Sequence, residues 1–550
     1  MRTLPISSIP KVLSTNKDGH PSSSLPGVWF AILILYAIAV SPLATMAEPR
    51  GEIRVVENWR PDVNVLGHNV LQYLVEYAID KNELSPALAA SWEWKSDRVL
   101  ELCLRKGVRF HNGEPFDAHS VKFNFDYQRQ HNPTRGVQVY MRNVREIQVV
   151  DNYTVRMILD EPDFLLLNRM MSAGPFQGWV IGAPKYMEKV GWEEFLKRPV
   201  GTGPYMVEGE VKDYRKMLEG EVYASLVANP DYWKEGYPKI DKITFVQYSA
   251  EEAVLALING RIDLVSSLIP KDTLRVAESP NSKVIKGRND VRWTNGFLNL
   301  ISTHTLPLRD LRVRKALNYA VNKEELLNYA FKGNAVNMRG LLTAKSGVDL
   351  SDTDPYDWDV QKARELLEWA GYGEGFKMKV IYQQKDYLIA QFLQRFYSLV
   401  NIEVDIVPVS WETIIKSIVY PNTREGSSWE DEDWWICIDS EPSYVPEVMG
   451  GHLEWGWHVG AAWQTSPTWL IVPMDRMYYE VLRTKEREKR FEIYKRANEY
   501  IADQALHVFT LAPLSLYGVN KELNFVPQVS QYLYLDYSSV TDNHWSIQGK

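Results

Sequence analysis

The sequence predicts an α/β protein built from several domains, and three observations carry that expectation. At 550 residues the chain exceeds what one ordinary core holds, which implies about three domains or sub-domains. Alternating β-branched runs at 52–56, 377–381 and 402–407 are interleaved with apolar residues at helical spacing. Residues 377–381, 388–399 and 402–407 read together as a βαβ unit, which places parallel strands in at least one sheet. Hydrophobic residues at 45% and charged residues at 24% describe a foldable globular chain. The formal net charge of -8 argues against nucleic acid as a partner, because phosphate binding needs a basic face.

The N-terminus reads as an export signal. Residues 28–40, VWFAILILYAIAV, are uncharged and apolar, too short to span a bilayer comfortably, and are preceded by Arg2, Lys11 and Lys17. Small residues follow, so cleavage after Ala47 is expected, with retention as an anchor the alternative. Removing 1–47 takes away three basic residues and Asp18 and leaves a formal charge of -10. The expected product is an acidic, exported monomer. Cys103 and Cys437 allow one disulfide without requiring it, and neither stands at the cleavage site to take a lipid.

Taken in order, residues 52–56 form a first strand, and 69–79 suggest a helix through Val70, Leu74 and Ala78. A turn at Pro86 and a short helix to Ser91 are expected next, then paired strands around 92–94 and 99–104. Asp117 is placed to cap a helix. The glycine-rich PVGTGPY at 199–205 lacks the Lys-Ser/Thr ending of a phosphate loop and reads as a tight turn. Residues 250–259 form a helix closed at Gly260, and RIDLV follows as a strand. Val313, Ala316, Leu317 and Ala320 share one helix face, Asn322 caps a second helix, and Gly333 ends it. The acidic run at 351–359 lacks the glycine and closing glutamate of a calcium loop, so it reads as capping for a helix over 360–370. Gly371, Gly373 and Gly375 follow that helix instead of a strand and make no dinucleotide fingerprint. A long helical tract occupies 474–503.

Several of these stretches resemble the bacterial family 5 solute-binding proteins, the peptide-, nickel- and opine-binding receptors of ABC importers. The block LSPALAASWEWKSDRVLELCLRKGVRFHNGEPFDAHSVKFNFD carries the likeness through Pro86, Ala89, Ser91, Trp92, Leu104, Arg105, Gly107, Val108, Phe110, His111, Gly113, Pro115 and Phe116. PVGTGPY, ANPDYWKEGYPKIDKITF, VRWTNGFLNL and LRDLRVRKALNYAVNKEELLNYAFKGNAV extend it over nearly all of 50–530. His111 reads as satisfying a turn in this block, not as a ligand or base. The resemblance implies a two-lobed fold of the type II periplasmic-binding-protein kind, with an extra sub-domain inserted in lobe I, closing on a solute and doing no chemistry on it. The implied division is 1–47 signal, 48–82 lobe I, 83–195 inserted sub-domain, 196–290 lobe I, 291–504 lobe II and 505–550 returning to lobe I. VRWTNGFLNL is the implied crossing strand, and a membrane permease is the implied partner.

The stretch 429–469 holds seven of the chain's 19 tryptophans beside many carboxylates, a composition that suits either a core or a ligand cleft. In the oligopeptide-binding branch a tryptophan precedes a Cys-Ala-Asp step and a Glu-Pro pair, and the aspartate holds the peptide ammonium. Here Trp435 precedes Cys437, Ile438 and Asp439, then Glu441 and Pro442, so the resemblance gives Asp439 that role and Glu441 a second place. There is one extra residue after the tryptophan and one fewer before the proline. Trp434, Trp435, Trp455, Trp457 and Trp463 are the expected cleft wall. The run from Glu430 to Asp433, where relatives carry a basic residue, favours a cationic or peptide-like solute if it forms a rim. His452 and His458 flank Glu454 but make an incomplete metal set, so neither a metal nor a cofactor is expected. Rival readings are an exported sensor on the same fold and a carboxylate-dependent hydrolase, the latter without GxSxG or HExxH.

Overall fold

The structure is a computed structural model that describes residues 48–57, 61–78, 83–131, 142–172, 180–287, 292–343, 346–353, 356–414, 432–442, 466–528 and 533–549. The apolar run at 28–40 and the proposed cleavage site lie outside them.

Lobe I opens on β1 (Glu52–Val56), a helix Pro61–Val70, and the short pair β2 (Val75–Tyr77) and β3 (Leu84–Pro86). The hairpin of β4 (Ala89–Ser96) and β5 (Val99–Leu104) follows, then a helix Ala118–His131 whose first turn is capped by Asp117, accepting from the Ser120 N–H at 2.9 Å. β6 (Val144–Asp151) and β7 (Thr154–Leu159) complete a four-stranded antiparallel sheet in the order β4-β5-β7-β6. β8 (Tyr205–Val207), β9 (Val222–Ala228), β10 (Lys242–Val246), β11 (Leu264–Val265) and β12 (Ser282–Lys286) then join β1. With β21 (Leu516–Asn520) they make the seven-stranded sheet β12-β21-β11-β1-β10-β9-β8. β1 is central and parallel to both neighbours, so its side chains are covered on both faces: Ile53 and Val55 enter the main lobe I core, and Val56 enters a second cluster.

Lobe II holds β13 (Arg292–Leu298), β14 (Ala335–Arg339), β15 (Leu342–Thr343), β16 (Lys377–Tyr382), β17 (Glu403–Pro408), β18 (Ile436–Pro442), β19 (His507–Phe509) and β20 (Leu511–Pro513). Its main sheet runs β17-β16-β18-β13-β19. The expected βαβ unit is present: β16 and β17 are parallel and joined through the helix Tyr387–Ser398. The caps at Asn322 and Asp359 also hold, accepting from the Glu325 and Lys362 N–H groups at 2.9 Å each.

The chain passes between the lobes twice, from β12 to β13 and from β20 to β21 (Leu516–Asn520). The two passages touch: Gly287 N–H donates to the Ser515 carbonyl at 2.7 Å, and a Cβ on Gly287 would stand 2.8 Å from Ser515 Cβ. Only glycine lets the two backbones run this close. Residues 533–537 are then tied back into lobe I by Asn69, whose Nδ2 donates to the Leu533 carbonyl at 2.8 Å, and by His68, 3.3 Å from Asp536.

Three local expectations are corrected. The helix expected over 69–79 is absent from its described part, 69–78: the helix ends at Val70 and Val75–Tyr77 is a strand. Val70, Leu71, Tyr73, Leu74, Val75 and Tyr77 are all at most 2% exposed, so burial on every side produced the helical spacing without a single apolar face. The short helix before Ser91 is instead the start of β4. The tract 474–503 is two helices, Thr468–Arg483 and Arg487–Asp503, because the chain turns extended at Thr484 and Glu486. In the stretch from 505 expected to return to lobe I, β19 and β20 pair with β13 and β14. Cys103 and Cys437 are both free, one exposed on the inserted sheet and the other buried in lobe II.

Candidate functional site

The site residues gather where β16 and β18 end. β18 lies between β16, to which it is parallel, and β13, to which it is antiparallel. Side chains alternate along it: Ile436 and Ile438 enter the main lobe II core, and Cys437 enters a small cluster on the opposite face with Phe297, Ile381, Ile414 and Trp434. Asp439, two residues on, follows Cys437 onto that second face. It pairs in register with Asn295 of β13, three residues from Arg292, the first residue of β13 after the passage from lobe I. Open α/β sheets take their ligands beyond the carboxyl ends of parallel strands, and Asp439 stands at such an end.

Asp439 is fully buried. Its Oδ1 accepts from Gln383 Nε2 at 3.0 Å and lies 3.8 Å from Lys385 Nζ. Both partners come from the turn that follows β16 and leads into the helix Tyr387–Ser398, and Asp386 beside them is also buried. Burial first, then the carboxylates of Asp439 and Asp386, push the Cys437 thiol well up, so the sulfur stays protonated. A carboxylate withdrawn from water needs a charged or hydrogen-bonding partner. Here an amide supplies the short bond and a lysine with its side chain 34% exposed supplies the charge. Gln383 and Lys385 were not singled out in the sequence. The signal was present as QQKD directly after an alternating strand of a βαβ unit, where ligand-binding loops arise.

The tryptophans divide. Trp434 is buried in the small cluster on the Cys437 face. Trp435 is buried in the main lobe II core and stacks on Phe376, with ring centroids 5.1 Å apart and planes at 19°. Both side chains pack, and neither forms an exposed wall. Trp455, Trp457 and Trp463 lie outside the described residues, as do Glu430, Asp431, His452, Glu454 and His458. Glu441 is placed by backbone only, opposite Trp293.

The acidic rim is corrected where it is described. Asp433 pairs with Lys379 near the start of β16, and the Trp435 N–H donates to the Lys379 carbonyl at 2.8 Å. Lys379 lies three residues before the end of β16 at Tyr382, whereas Gln383 and Lys385 follow that end. Glu432 and Asp433 therefore sit at the opposite end of β18, and the charged side chain paired with Asp439 is the basic Lys385.

The model for bacterial extracellular solute-binding proteins of family 5 matches residues 83–440. The dipeptide-binding protein of Escherichia coli is 26% identical over 468 residues, 78% of this chain and 81% of that protein. The glutathione-binding protein GsiB of Pectobacterium atrosepticum is 26% identical over 457 residues, 81% of this chain and 84% of its own length. Among solved structures, the periplasmic binding protein DppA of Helicobacter pylori in complex with the peptide STSA superposes with a TM-score of 0.72 at 22% identity, covering 89% of this chain and 98% of that one. The peptide-binding protein AppA of Clostridium difficile reaches 0.73 at 20% identity, covering 89% and 100%. With the signature block, the paired lobe crossings and this match in hand, the chain belongs to the bacterial extracellular solute-binding proteins of family 5.

Proposed function

We propose that this protein is the receptor of an ABC importer that captures a peptide-like solute between its two lobes and hands it to a membrane permease. The carrying observation is the buried Asp439 carboxylate at the carboxyl ends of β16 and β18, with Gln383 and Lys385 on one of its oxygens. A primary ammonium suits Asp439, and the neighbouring lysine suits a carboxylate. A zwitterion such as a short peptide therefore matches the charges better than a purely cationic amine. The dipeptide- and glutathione-binding proteins named above support that class, since their ligands carry both groups. Nothing in this reading calls for catalysis. Export by the 28–40 apolar run fits the family, and among the described residues no helix is long and apolar enough to cross a membrane.

Calorimetry with a dipeptide library, each member paired with its N-acetylated form, tests the solute class. Binding of free dipeptides and loss of binding on acetylation is the expected pattern. Equal affinity for both forms overturns the ammonium assignment.

A further inference from the structure

The inserted part of lobe I touches lobe II through elements other than the two crossing passages. The Phe164 N–H donates to the Leu482 carbonyl at 2.8 Å, in the last turn of the helix Thr468–Arg483. Leu165 is 2% exposed and packs in the lobe II core, whereas Leu166 and Leu167 pack in the lobe I core. Consecutive side chains thus enter two different cores. One turn earlier on the same lobe II helix, Tyr478 accepts a hydrogen bond from Arg142, whose guanidinium lies 5.8 Å from the ring centroid.

The lobe I side of this contact is braced. Asp163 and Arg169 form an ion pair with both side chains buried, and the Leu166 N–H donates to the Asp163 carbonyl at 3.1 Å. Phe164 meets Trp94 of β4 edge to face at 4.8 Å. Its shape is therefore held within lobe I. Among the described residues, one inserted leucine and two hydrogen bonds make a contact that can break and re-form, unlike the covalent crossings. Hinge-closing proteins switch through such small bistable interfaces.

We propose that residues 163–165, with Arg142, form a latch that holds the lobes together without solute. The proposal rests on the two-lobe receptor reading, but none of its residues touches Asp439.

The test uses the solute-free, full-length mature protein, with amide exchange and small-angle scattering on wild type, Leu165→Ala, Tyr478→Phe and Arg142→Gln. The Phe164 amide should be protected in wild type and exchange about tenfold faster in Leu165→Ala, because local opening then costs less. The radius of gyration should rise in the same variant. Tyr478→Phe and Arg142→Gln should shift both readouts the same way by less, with β1 and β16 amides unchanged. If Leu165→Ala fails to fold, those two milder variants decide. An unprotected Phe164 amide in wild type, or exchange and scattering unchanged in every folded variant, overturns the latch. Because no solute is added, that failure is separable from a failure of peptide binding at Asp439.

Discussion

His544 Nε2 donates to Asp263 Oδ1 at 3.0 Å, fastening the last helix of the chain to a lobe I residue 281 positions earlier. The same oxygen accepts from Trp545 Nε1 at 3.0 Å and Asn520 Nδ2 at 2.8 Å, and Oδ2 accepts from the Arg54 N–H at 2.8 Å. Asp263 is fully buried, so its acceptors have no water to fall back on. Asp263→Asn turns one acceptor into a donor facing donors. It should cost roughly 2–4 kcal/mol, read from the urea midpoint at unchanged slope.

His111 should make stability depend on acid. Its Nε2 donates to the Gly203 carbonyl at 3.0 Å and its Nδ1 accepts from the Gly201 N–H at 3.3 Å, which only the neutral ring can do. Burial pushes it down from 6.5 to about 4. In the unfolded chain it takes up a proton near its ordinary value. Its contribution is therefore complete above about pH 6.5 and is lost progressively as pH falls towards about 4. Urea midpoints of wild type and His111→Gln should differ clearly at pH 7 and converge at pH 4.5. A gap that stays constant contradicts the assignment.

The glycine turn beside it is a packing device. A Cβ on Gly201 would stand 2.1 Å from the Val70 carbonyl oxygen, and one on Gly203 would stand 2.6 Å from it. The Gly203 N–H donates to that same oxygen at 3.0 Å. Gly201→Ala must push backbone from backbone and should cost roughly 1–3 kcal/mol, measurable as a lowered thermal midpoint. Peptide affinity of the folded fraction should be unchanged.

Asp439 and Gln383 should separate in their effects on binding. Asp439→Asn strands a desolvated ligand ammonium and should weaken a dipeptide by at least about tenfold. Gln383→Leu removes one orienting hydrogen bond and should cost only about 1 kcal/mol. Calorimetry at fixed ionic strength compares them. Equal, small losses from both would mean the ammonium binds elsewhere.

By itself the sequence determined what depends on neighbours along the chain. Asp117, Asn322 and Asp359 cap helices because the cap bond spans only two or three residues, and β16 and β17 were legible because alternation survives where one strand face differs from the other. It also carried the family, through an ordered string from Pro86 to Phe116 and the Cys437-to-Pro442 step. Tertiary structure decided the rest. Residues 69–77 are buried on all sides, so no periodicity could separate strand from helix, and the Trp434–Trp435 pair reads the same in sequence whether it lines a cleft or fills a core. The partners of Asp439 lie 54 and 56 residues away in the turn that follows the neighbouring strand β16. Asp433, six residues before it, pairs instead with Lys379 near the opposite end of β18. Extended backbone separates near neighbours as surely as a parallel sheet brings distant ones together, and only the folded sheet shows which charge Asp439 meets.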